Sequence, residues 1–446
     1  VETAQLATKH FQRTRRPLRI AVDEAGWRFN NINEHQVKAI REKSGEPAFQ
    51  GIEKQLFWRI CRLLKQNIEL VFVFDGSRRP WKNGKTAGRI DYKSRELTEE
   101  LLDALRIPHY RAPAETEAEC VRLQQLGVVD AVWSEDADAL MFGCDFLIRD
   151  YREPKKKGEK KTNHSKAGTK KSNTHVRVIR PKHLQAVHLS KEDIVLFAVV
   201  CGGDYDREGL RNCGRNTAMK MIKHGLAKTL YACKSENDLG DWRHALIEFL
   251  RRAKATSNVI VRNDYPRLRH VKNYREPLVS TNEAIANLEC LRHGWDRSFD
   301  EEVLREFIST RFNIWTKGYF NWIGPILLAR FLSISTARSN PHAVRLTKRR
   351  AAKSAEAGEE EVLPSFESKL TFSPFDLSSL SQDRFHDGYW TGKREDEFEP
   401  DYRVECEILD RMLRQALPDE VLNPPAKTPA KKRKRATQAQ GGEDGT

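Results

Sequence analysis

Three short apolar runs, each ending in or beside an acidic residue, constrain the fold of this chain more than any other feature. They read LRIAVD at 18–23, LVFVFD at 70–75 and VDAVWS at 129–134. Between the first two, apolar residues such as Leu56 and Ile60 repeat with the spacing of an amphipathic helix. Strands that alternate with helices in this way predict an α/β fold. Its central sheet would be mostly parallel, with helices on both faces.

Acidic side chains follow these runs at positions that a parallel sheet would bring together. The carboxyl ends of parallel strands share one edge, and ligands bind at that edge in open α/β sheets. Two aspartates end the first two runs, two follow the third, two glutamates open a helix after a further predicted strand, and one aspartate follows a helix and a Gly-Gly break. The seven acids expected at this edge are Asp23, Asp75, Glu115, Glu117, Asp136, Asp138 and Asp204.

Seven carboxylates in one crevice would repel one another unless a cation neutralised them. Mg²⁺ prefers oxygen ligands, and Mn²⁺ accepts the same ones. Two such ions per site could hold a scissile phosphate, activate water and stabilise the leaving oxygen. A single strand-end aspartate is more often a helix cap or turn residue, and the neighbouring Glu119 fits a helix-dipole role. The complete ordered set is much harder to explain in that way.

The charge of the chain points to a polyanionic partner. Lys and Arg number 78 against 63 Asp and Glu, which gives a formal net charge of +15. Nucleic acid is the first candidate because cationic side chains release counterions from phosphates, and a solubilising surface charge is the alternative. The eight scattered cysteines form no C-x-x-C pair, which argues against a zinc ribbon. Without a long apolar run or a signal peptide, we expect no membrane association.

Five strings place the acids in a recognisable pattern: AVD at 21–23, VFDG at 73–76, AETEAEC at 114–120, SEDADALMFG at 134–143 and GGDYD at 202–206. Together they resemble the flap endonuclease / xeroderma pigmentosum G nuclease superfamily over about residues 16–330. The resemblance implies a PIN-like nuclease core that cuts branched DNA with two Mg²⁺ ions. It also implies that each of the seven acids is a catalytic metal ligand.

Cationic residues follow the second strand at helical spacing. Lys82, Lys85, Arg89 and Lys93 recur every three or four residues, so a helix would place them on one face that could bind DNA. A solvated basic face is the alternative. The resemblance adds a catalytic role for Lys82 and Arg89, which would steer the scissile phosphate.

Residues 209–218 (GLRNCGRNTA) match the position of the family's helix–two-turn–helix, which grips duplex backbone through loop amides and a bound K⁺ ion. Gly214, Arg215 and Asn216 are the predicted DNA contacts, since a helix that starts there would offer free N–H groups to a phosphate. A plain interhelical turn is the alternative.

Within the superfamily, the chain most resembles the GEN/Yen Holliday junction resolvases. The segment between Arg89 and Glu115 is too short for the long arch of true flap endonucleases, and the long spacer of the xeroderma type is lacking. The resemblance implies Holliday junction resolution by paired symmetric nicks. Because the sequence shows no heptad seam or long apolar face, we expect a monomer in solution that forms a dimer on the two-fold symmetric junction. The basic run at 431–435 leads us to expect a nuclear protein. A 5′-flap endonuclease and a non-catalytic protein that binds branched DNA are the alternatives.

Composition divides the chain further. An apolar pattern at Val404, Ile408, Met412 and Leu413 predicts a helix over 402–417, and the basic run at 431–435 reads as a nuclear localisation signal. The predicted domains are 1–205 for the nuclease core with a flexible basic loop at 153–175, 206–335 for the helix–two-turn–helix and helical DNA-binding region, 341–420 for a small chromodomain-like module, and 421–446 for a disordered basic tail.

Overall fold

The computed structural model describes residues 1–30, 48–80, 92–152, 171–252, 259–295, 298–335, 337–352 and 363–423. Lys82, Lys85 and Arg89 lie outside the described residues, as do most of the predicted basic loop and the basic tail. Lys93 lies in a described helix, but its side chain is outside the description. Among the described helices, none has the length and apolar character required to cross a bilayer.

The central sheet of the described chain has six strands in the order β3-β2-β1-β4-β5-β6. The first five strands pair in parallel, and β6 runs antiparallel to β5 at the edge. The predicted mostly parallel sheet is therefore confirmed. The strands are Leu18–Asp23 (β1), Ile68–Phe74 (β2), His109–Arg111 (β3), Ala131–Trp133 (β4), Leu147–Arg152 (β5) and Lys171–Ile179 (β6).

Alternating side chains of the inner strands supply two separate cores. Along β1, Ile20 and Val22 point into one apolar cluster, whereas Ala21 between them points into the other. Along β2, Phe72 joins the first cluster and Val73 the second. Because both faces of a covered parallel sheet are buried, these strands read as continuous apolar runs rather than as alternating ones.

Helices cover both faces of the sheet. The first face is covered by Thr3–Thr14 (α1), Glu24–Asn30 (α2), Ala48–Leu64 (α3) and Tyr92–Ala104 (α4). The second face is covered by Thr116–Gln125 (α5), Asp138–Met141 (α6) and, after the short helix Pro181–Gln185 (α7), by Lys191–Cys201 (α8).

Between residues 201 and 335 the described chain is mostly helical, as predicted. Its first helices extend the second core: Arg215–Lys223 (α9), Leu226–Ala232 (α10), Glu236–Arg252 (α11), Leu268–Arg275 (α12) and Asn282–Ala286 (α13). Helices α9, α10 and α12 pack against α8. The later helices return to the first core: Glu301–Phe312 (α14), Thr316–Trp322 (α15) and Gly324–Ile334 (α16).

The C-terminal part of the described chain is a three-stranded antiparallel sheet followed by helices. The elements are Arg345–Ala352 (β7), Leu363–Phe372 (β8), Val404–Leu409 (β9), Asp410–Ala416 (α17) and Asp419–Leu422 (α18). Apolar residues of this sheet join those of α14–α16 and of the first core in one cluster. Two polar contacts add to this junction: Gln66 donates a hydrogen bond of 3.0 Å to Glu367, and the Arg411 guanidinium lies over the Phe11 ring. The likeness to a chromodomain stays a prediction.

The helix predicted over 402–417 is wrong in its first half. Residues 404–409 form strand β9, which pairs with β8 and places Val404 opposite Phe372. Val404 and Ile408 are four residues apart, a spacing that fits one face of a helix and equally one face of a strand. Because residues 404–409 form hydrogen bonds with β8, they adopt the strand conformation, and the helix begins only at Asp410.

A close approach of two chain segments shapes the edge of the sheet where β2 ends. The Gly76 N–H donates a hydrogen bond of 2.8 Å to the Ala114 carbonyl. A Cβ atom on Gly76 would lie 2.0 Å from the Ala112 carbonyl oxygen and 2.6 Å from Pro113 backbone atoms. Because those atoms belong to backbone, any side chain at this position would push the β2 and β3 exits apart.

We predict that Gly76→Ala lowers the free energy of unfolding by about 1–3 kcal/mol, because the added methyl overpacks a backbone contact. The matched control is Gly240→Ala, inside α11, where an added Cβ meets nothing within 4 Å. That change should be neutral or stabilise the protein by up to about 1 kcal/mol, since alanine favours a helix interior. Denaturant unfolding of both variants measures the difference, and equal stabilities would contradict the prediction.

Candidate metal centre

The carboxyl edge of the central sheet places acidic residues next to one another. Asp23 is the last residue of β1, Asp75 directly follows β2, and Asp136 lies three residues beyond β4. Because β1 lies between β2 and β4 in the sheet, these three acids come from neighbouring strands. The parallel register therefore produces the convergence that the sequence predicts.

Three of the seven predicted acids form one compact group. Carboxylate oxygens of Asp136, Asp138 and Asp204 all lie within 4.8 Å of one another, a spacing that would allow one cation to contact all three. The backbone N–H of Asp138 donates a hydrogen bond of 2.9 Å to the Asp136 carboxylate, which fixes the turn between β4 and α6. Asp204 lies three residues after the end of α8, and Gly202 and Gly203 separate it from that helix.

Asp23 is the most buried of the β1, β2 and β4 acids. Its side chain accepts a hydrogen bond of 2.8 Å from the Ser134 hydroxyl and one of 3.3 Å from the Gly26 N–H. Burial raises the pKa of Asp23 to about 7, the charge of Asp75 adds to the rise, and the two hydrogen bonds oppose it. The Ser134 oxygen also accepts the Asp136 N–H at 3.0 Å, so one hydroxyl connects Asp23 with the compact group.

Asp75 is held from two sides. One carboxylate oxygen accepts hydrogen bonds from the Thr116 N–H at 3.2 Å and from the Thr116 hydroxyl at 2.9 Å. The other oxygen pairs with the Arg79 guanidinium at 2.6 Å. Asp75 therefore connects the end of β2 to the start of α5, and Arg79 supplies a positive charge on its other side.

The two glutamates enter the same region from the first turn of α5. Glu115 is 3% exposed and accepts a hydrogen bond from the buried Tyr205 hydroxyl, one residue after Asp204. Glu117 lies close enough to the buried Cys120 that its charge, like that of Asp23, adds to the rise in the Cys120 thiol pKa that burial causes. These contacts connect α5 to both β1 and the end of α8.

The donor set of this edge suits a hard divalent cation. All seven predicted acids supply carboxylate oxygens, which Mg²⁺ and Mn²⁺ prefer, and three of them already share a distance compatible with one ion. The raised pKa of the buried Asp23 is the response expected of a carboxylate that lacks a neutralising charge. The other four acids could hold a second ion, and their roles as ligands stay predictions.

Four supporting residues escaped the sequence-based reasoning. Thr116, Ser134 and Tyr205 stand inside the quoted strings AETEAEC, SEDADALMFG and GGDYD, so hydroxyls adjacent to acids were a signal that could have identified them. Arg79 stands four residues after Asp75, and only the loop geometry after β2 reveals that it pairs with that acid.

The predicted helix–two-turn–helix segment forms a tight turn before α9. Gly209 and Asn212 both adopt positive φ angles, and the Cys213 N–H donates a hydrogen bond of 2.9 Å to the Leu210 carbonyl. Gly214 is the N-terminal cap of α9, and a Cβ on it would meet nothing within 4 Å. Arg215 and Asn216 follow on the first turn and are exposed. The predicted DNA contacts of this segment thus lie together on one open surface.

Known sequences resemble the part of the chain that carries the acids. The XPG I-region family model matches residues 106–204. Flap endonuclease 1 of Hyperthermus butylicus is 27% identical over 226 residues, which are 42% of this chain and 62% of that protein. Flap endonuclease 1 of Babesia bovis is 34% identical over 154 residues, 34% of this chain and 20% of the relative. The chain thus matches less than two thirds of the length of these relatives.

Solved structures match nearly the whole chain. The eukaryotic junction-resolving enzyme GEN-1, solved with potassium, has a TM-score of 0.71 at 27% identity and covers 95% of this chain and 94% of its own. GEN1 in complex with product DNA and Mg²⁺ has a TM-score of 0.67 at 27% identity, with the same coverage. The catalytic core of Rad2 with DNA shares the fold over 73% of this chain and 95% of its own, at 22% identity and a TM-score of 0.51. The chain is thus similar to the structure-specific nucleases of the flap endonuclease / xeroderma pigmentosum G superfamily and, over nearly its whole length, to the GEN1 structures.

Proposed function

We propose that this protein is a Mg²⁺-dependent endonuclease that resolves Holliday junctions by paired symmetric nicks. The observation that carries the proposal is the compact group of Asp136, Asp138 and Asp204 beside Asp23 at one edge of the sheet. A protein of net charge +15 that concentrates acids there combines an affinity for polyanions with a site for cations.

The proposed chemistry is hydrolysis of a phosphodiester bond. Two divalent ions at such a site would activate water and stabilise the leaving oxygen. Asp136, Asp138 and Asp204 would hold one ion, and Asp23, Asp75, Glu115 and Glu117 would hold or orient the second. Lys82 and Arg89 would contact the scissile phosphate.

The supporting residues keep the ligands in place without taking part in bond cleavage. The Ser134 hydroxyl orients Asp23, and the Thr116 hydroxyl orients Asp75. The Tyr205 hydroxyl donates to Glu115, so it is held as a neutral phenol. Burial and the nearby Glu115 charge raise the pKa of Tyr205 far above its ordinary value, which keeps the donor protonated.

The turn before α9 would hold the duplex arm. Its exposed Arg215 and Asn216 side chains and the amides after Gly214 could contact phosphates. We further propose that this turn binds a K⁺ ion; a GEN-1 structure solved with potassium is similar to nearly the whole chain. We infer the nucleus as the location of the protein, since the basic run at 431–435 reads as a localisation signal.

Likeness to GEN-1 over nearly the whole chain favours junctions as the substrate, whereas the relatives identified by sequence are flap endonucleases. A 5′-flap endonuclease is therefore the second candidate. The deciding experiment offers end-labelled four-way junctions and 5′ flaps with Mg²⁺ and maps the nicks. Paired symmetric nicks across the junction support resolution, and cutting confined to flaps supports the second candidate.

We predict that Asp136→Asn and Asp23→Asn each lower the single-turnover cutting rate more than about a hundredfold, because metal binding supplies several kcal/mol of transition-state stabilisation. Affinity for branched DNA should stay close to wild type, since the basic surface supplies most of it. The matched control is Asp145→Asn, an equivalent change at an exposed acid next to β5, which should cut normally. Normal cutting by Asp136→Asn or by Asp23→Asn would contradict the assignment of these acids as metal ligands.

The raised pKa of Asp23 also predicts how stability depends on pH without divalent metal. A carboxyl with a folded pKa of about 7 and an unfolded pKa of about 4 binds its proton more tightly when folded. Protonation of Asp23 therefore contributes fully to the free energy of unfolding below pH 4, and this contribution is lost as the pH rises to 7. Between pH 5 and pH 8, wild type should lose about 2–3 kcal/mol relative to Asp23→Asn. Urea unfolding in EDTA measures this difference, with Asp145→Asn as control, and parallel pH curves would contradict it.

The last prediction for this function concerns assembly. Two symmetric nicks require two active sites, and a four-way junction presents two equivalent surfaces through its two-fold symmetry. We expect a monomer in solution, two subunits on a junction and one on a 5′ flap. Sedimentation velocity with each DNA measures the stoichiometry. A stable dimer without DNA, or one subunit on the junction at saturating protein, would contradict the prediction.

A further inference from the structure

We infer that the cleft between α12 and the loop after β2 binds the sugar–phosphate backbone of the DNA strand next to the scissile phosphate. This inference deepens the proposed function and rests on it, because it assigns the path of the substrate strand beyond the acidic centre. The cleft has a volume of about 390 Å³, and its walls are formed by Arg78 and Pro80 on one side and by residues 269–278 on the other.

The cleft is adjacent to the acidic centre. Tyr205 lines it, and the hydroxyl of the same tyrosine donates to Glu115. Arg78 stands three residues after Asp75, on the exit from β2. A DNA strand whose phosphate reached the carboxyl edge of the sheet could therefore continue into this cleft.

The charge of the cleft suits phosphates. Arg78, Arg269 and Lys272 are exposed, and the last two are three residues apart on α12, so they share one helix face. Glu276, the carboxylate among its described lining residues, forms an ion pair of 3.0 Å with Arg275. The cationic side chains are thus available to a polyanion, while the acid already has a partner.

The apolar residues that line the cleft suit the sugar and base of a DNA strand. Pro80, Pro277 and Leu278 belong to it, and Leu278 is 45% exposed. Sites for single strands combine a cationic groove with apolar surfaces against which bases pack. A wall with three cations and three apolar side chains next to a phosphodiesterase centre fits that description better than it fits a small anion.

The test compares Arg269→Ala/Lys272→Ala with a matched double variant, Lys9→Ala/Arg13→Ala. Lys9 and Arg13 are exposed cations on α1, which leads to the amino end of β1, at the opposite edge of the sheet from the acids. Binding of a branched DNA is measured by fluorescence anisotropy with Ca²⁺ in place of Mg²⁺, over a range of salt concentrations. Each lost phosphate contact lowers the slope of log affinity against log salt by about 0.7–0.9.

We call Arg269→Ala/Lys272→Ala the α12 variant and Lys9→Ala/Arg13→Ala the α1 variant. The α12 variant should bind branched DNA about tenfold more weakly, and its slope of log affinity against log salt should be smaller by about 1.5. The α1 variant should bind as wild type does. A methylphosphonate scan locates the contact: neutral linkages near the scissile phosphate should weaken wild type but have no further effect on the α12 variant. The inference would be overturned if the two variants had equal slopes of log affinity against log salt. It would also be overturned if neutral linkages near the scissile phosphate weakened the α12 variant as much as they weaken wild type. If the double variant is unstable, the single variant Lys272→Ala at an exposed site is measured in the same salt series and methylphosphonate scan.

The two proposals fail in different ways. If wild type cuts neither junction nor flap, the proposed function is wrong, whatever the binding data. If wild type cuts branched DNA and the α12 variant matches the α1 variant in slope and scan, only the cleft assignment is wrong.

Discussion

Repulsion among carboxylates gathered at one edge of a parallel sheet is the constraint on which the arrangement of this protein depends. Parallel pairing brings the ends of β1, β2 and β4 together, and each of these strands leads into an acid. The fold offsets the charge locally. Arg79 pairs with Asp75, and burial raises the pKa of Asp23 to about 7, so that about half of this carboxyl is protonated near pH 7. These compensations suit a site that a divalent cation completes, because the cation would replace both the proton and the ion pair.

A buried ion pair directly follows Asp23 in the chain and has a structural role. Glu24 follows Asp23 in the chain and pairs with Arg28 at 2.6 Å, both side chains being buried. Burial raises the pKa of Glu24, while Arg28 opposes the rise. Arg28 thus offsets part of the negative charge next to Asp23, although the charge of Glu24 still contributes to the raised pKa of Asp23.

Sequence reasoning predicted the sheet and the acids well because both follow from short-range patterns. Buried parallel strands are apolar runs, and their ends converge by geometry, so Asp23, Asp75 and Asp136 could be placed without coordinates. The strand at 404–409 was missed because its apolar spacing also fits a helix, and only pairing with β8 distinguishes the two. The ion pair of Arg79 could not be predicted either, since a loop conformation creates it.

Long-range contacts position Asp204 more than its local sequence does. A Cβ on Gly203 would lie 2.8 Å from the Tyr274 hydroxyl, and the rings of Tyr274 and Tyr205 are 4.5 Å apart. Helix α12 therefore packs directly against the loop that carries Asp204 and against the tyrosine that donates to Glu115. The helix that supplies one wall of the cleft thus also fixes two of the acids. The contacts from Tyr274 to Tyr205 and from Tyr205 to Glu115 therefore connect α12 with the acidic centre, so packing far along the chain helps to position acids that the local sequence does not hold by itself.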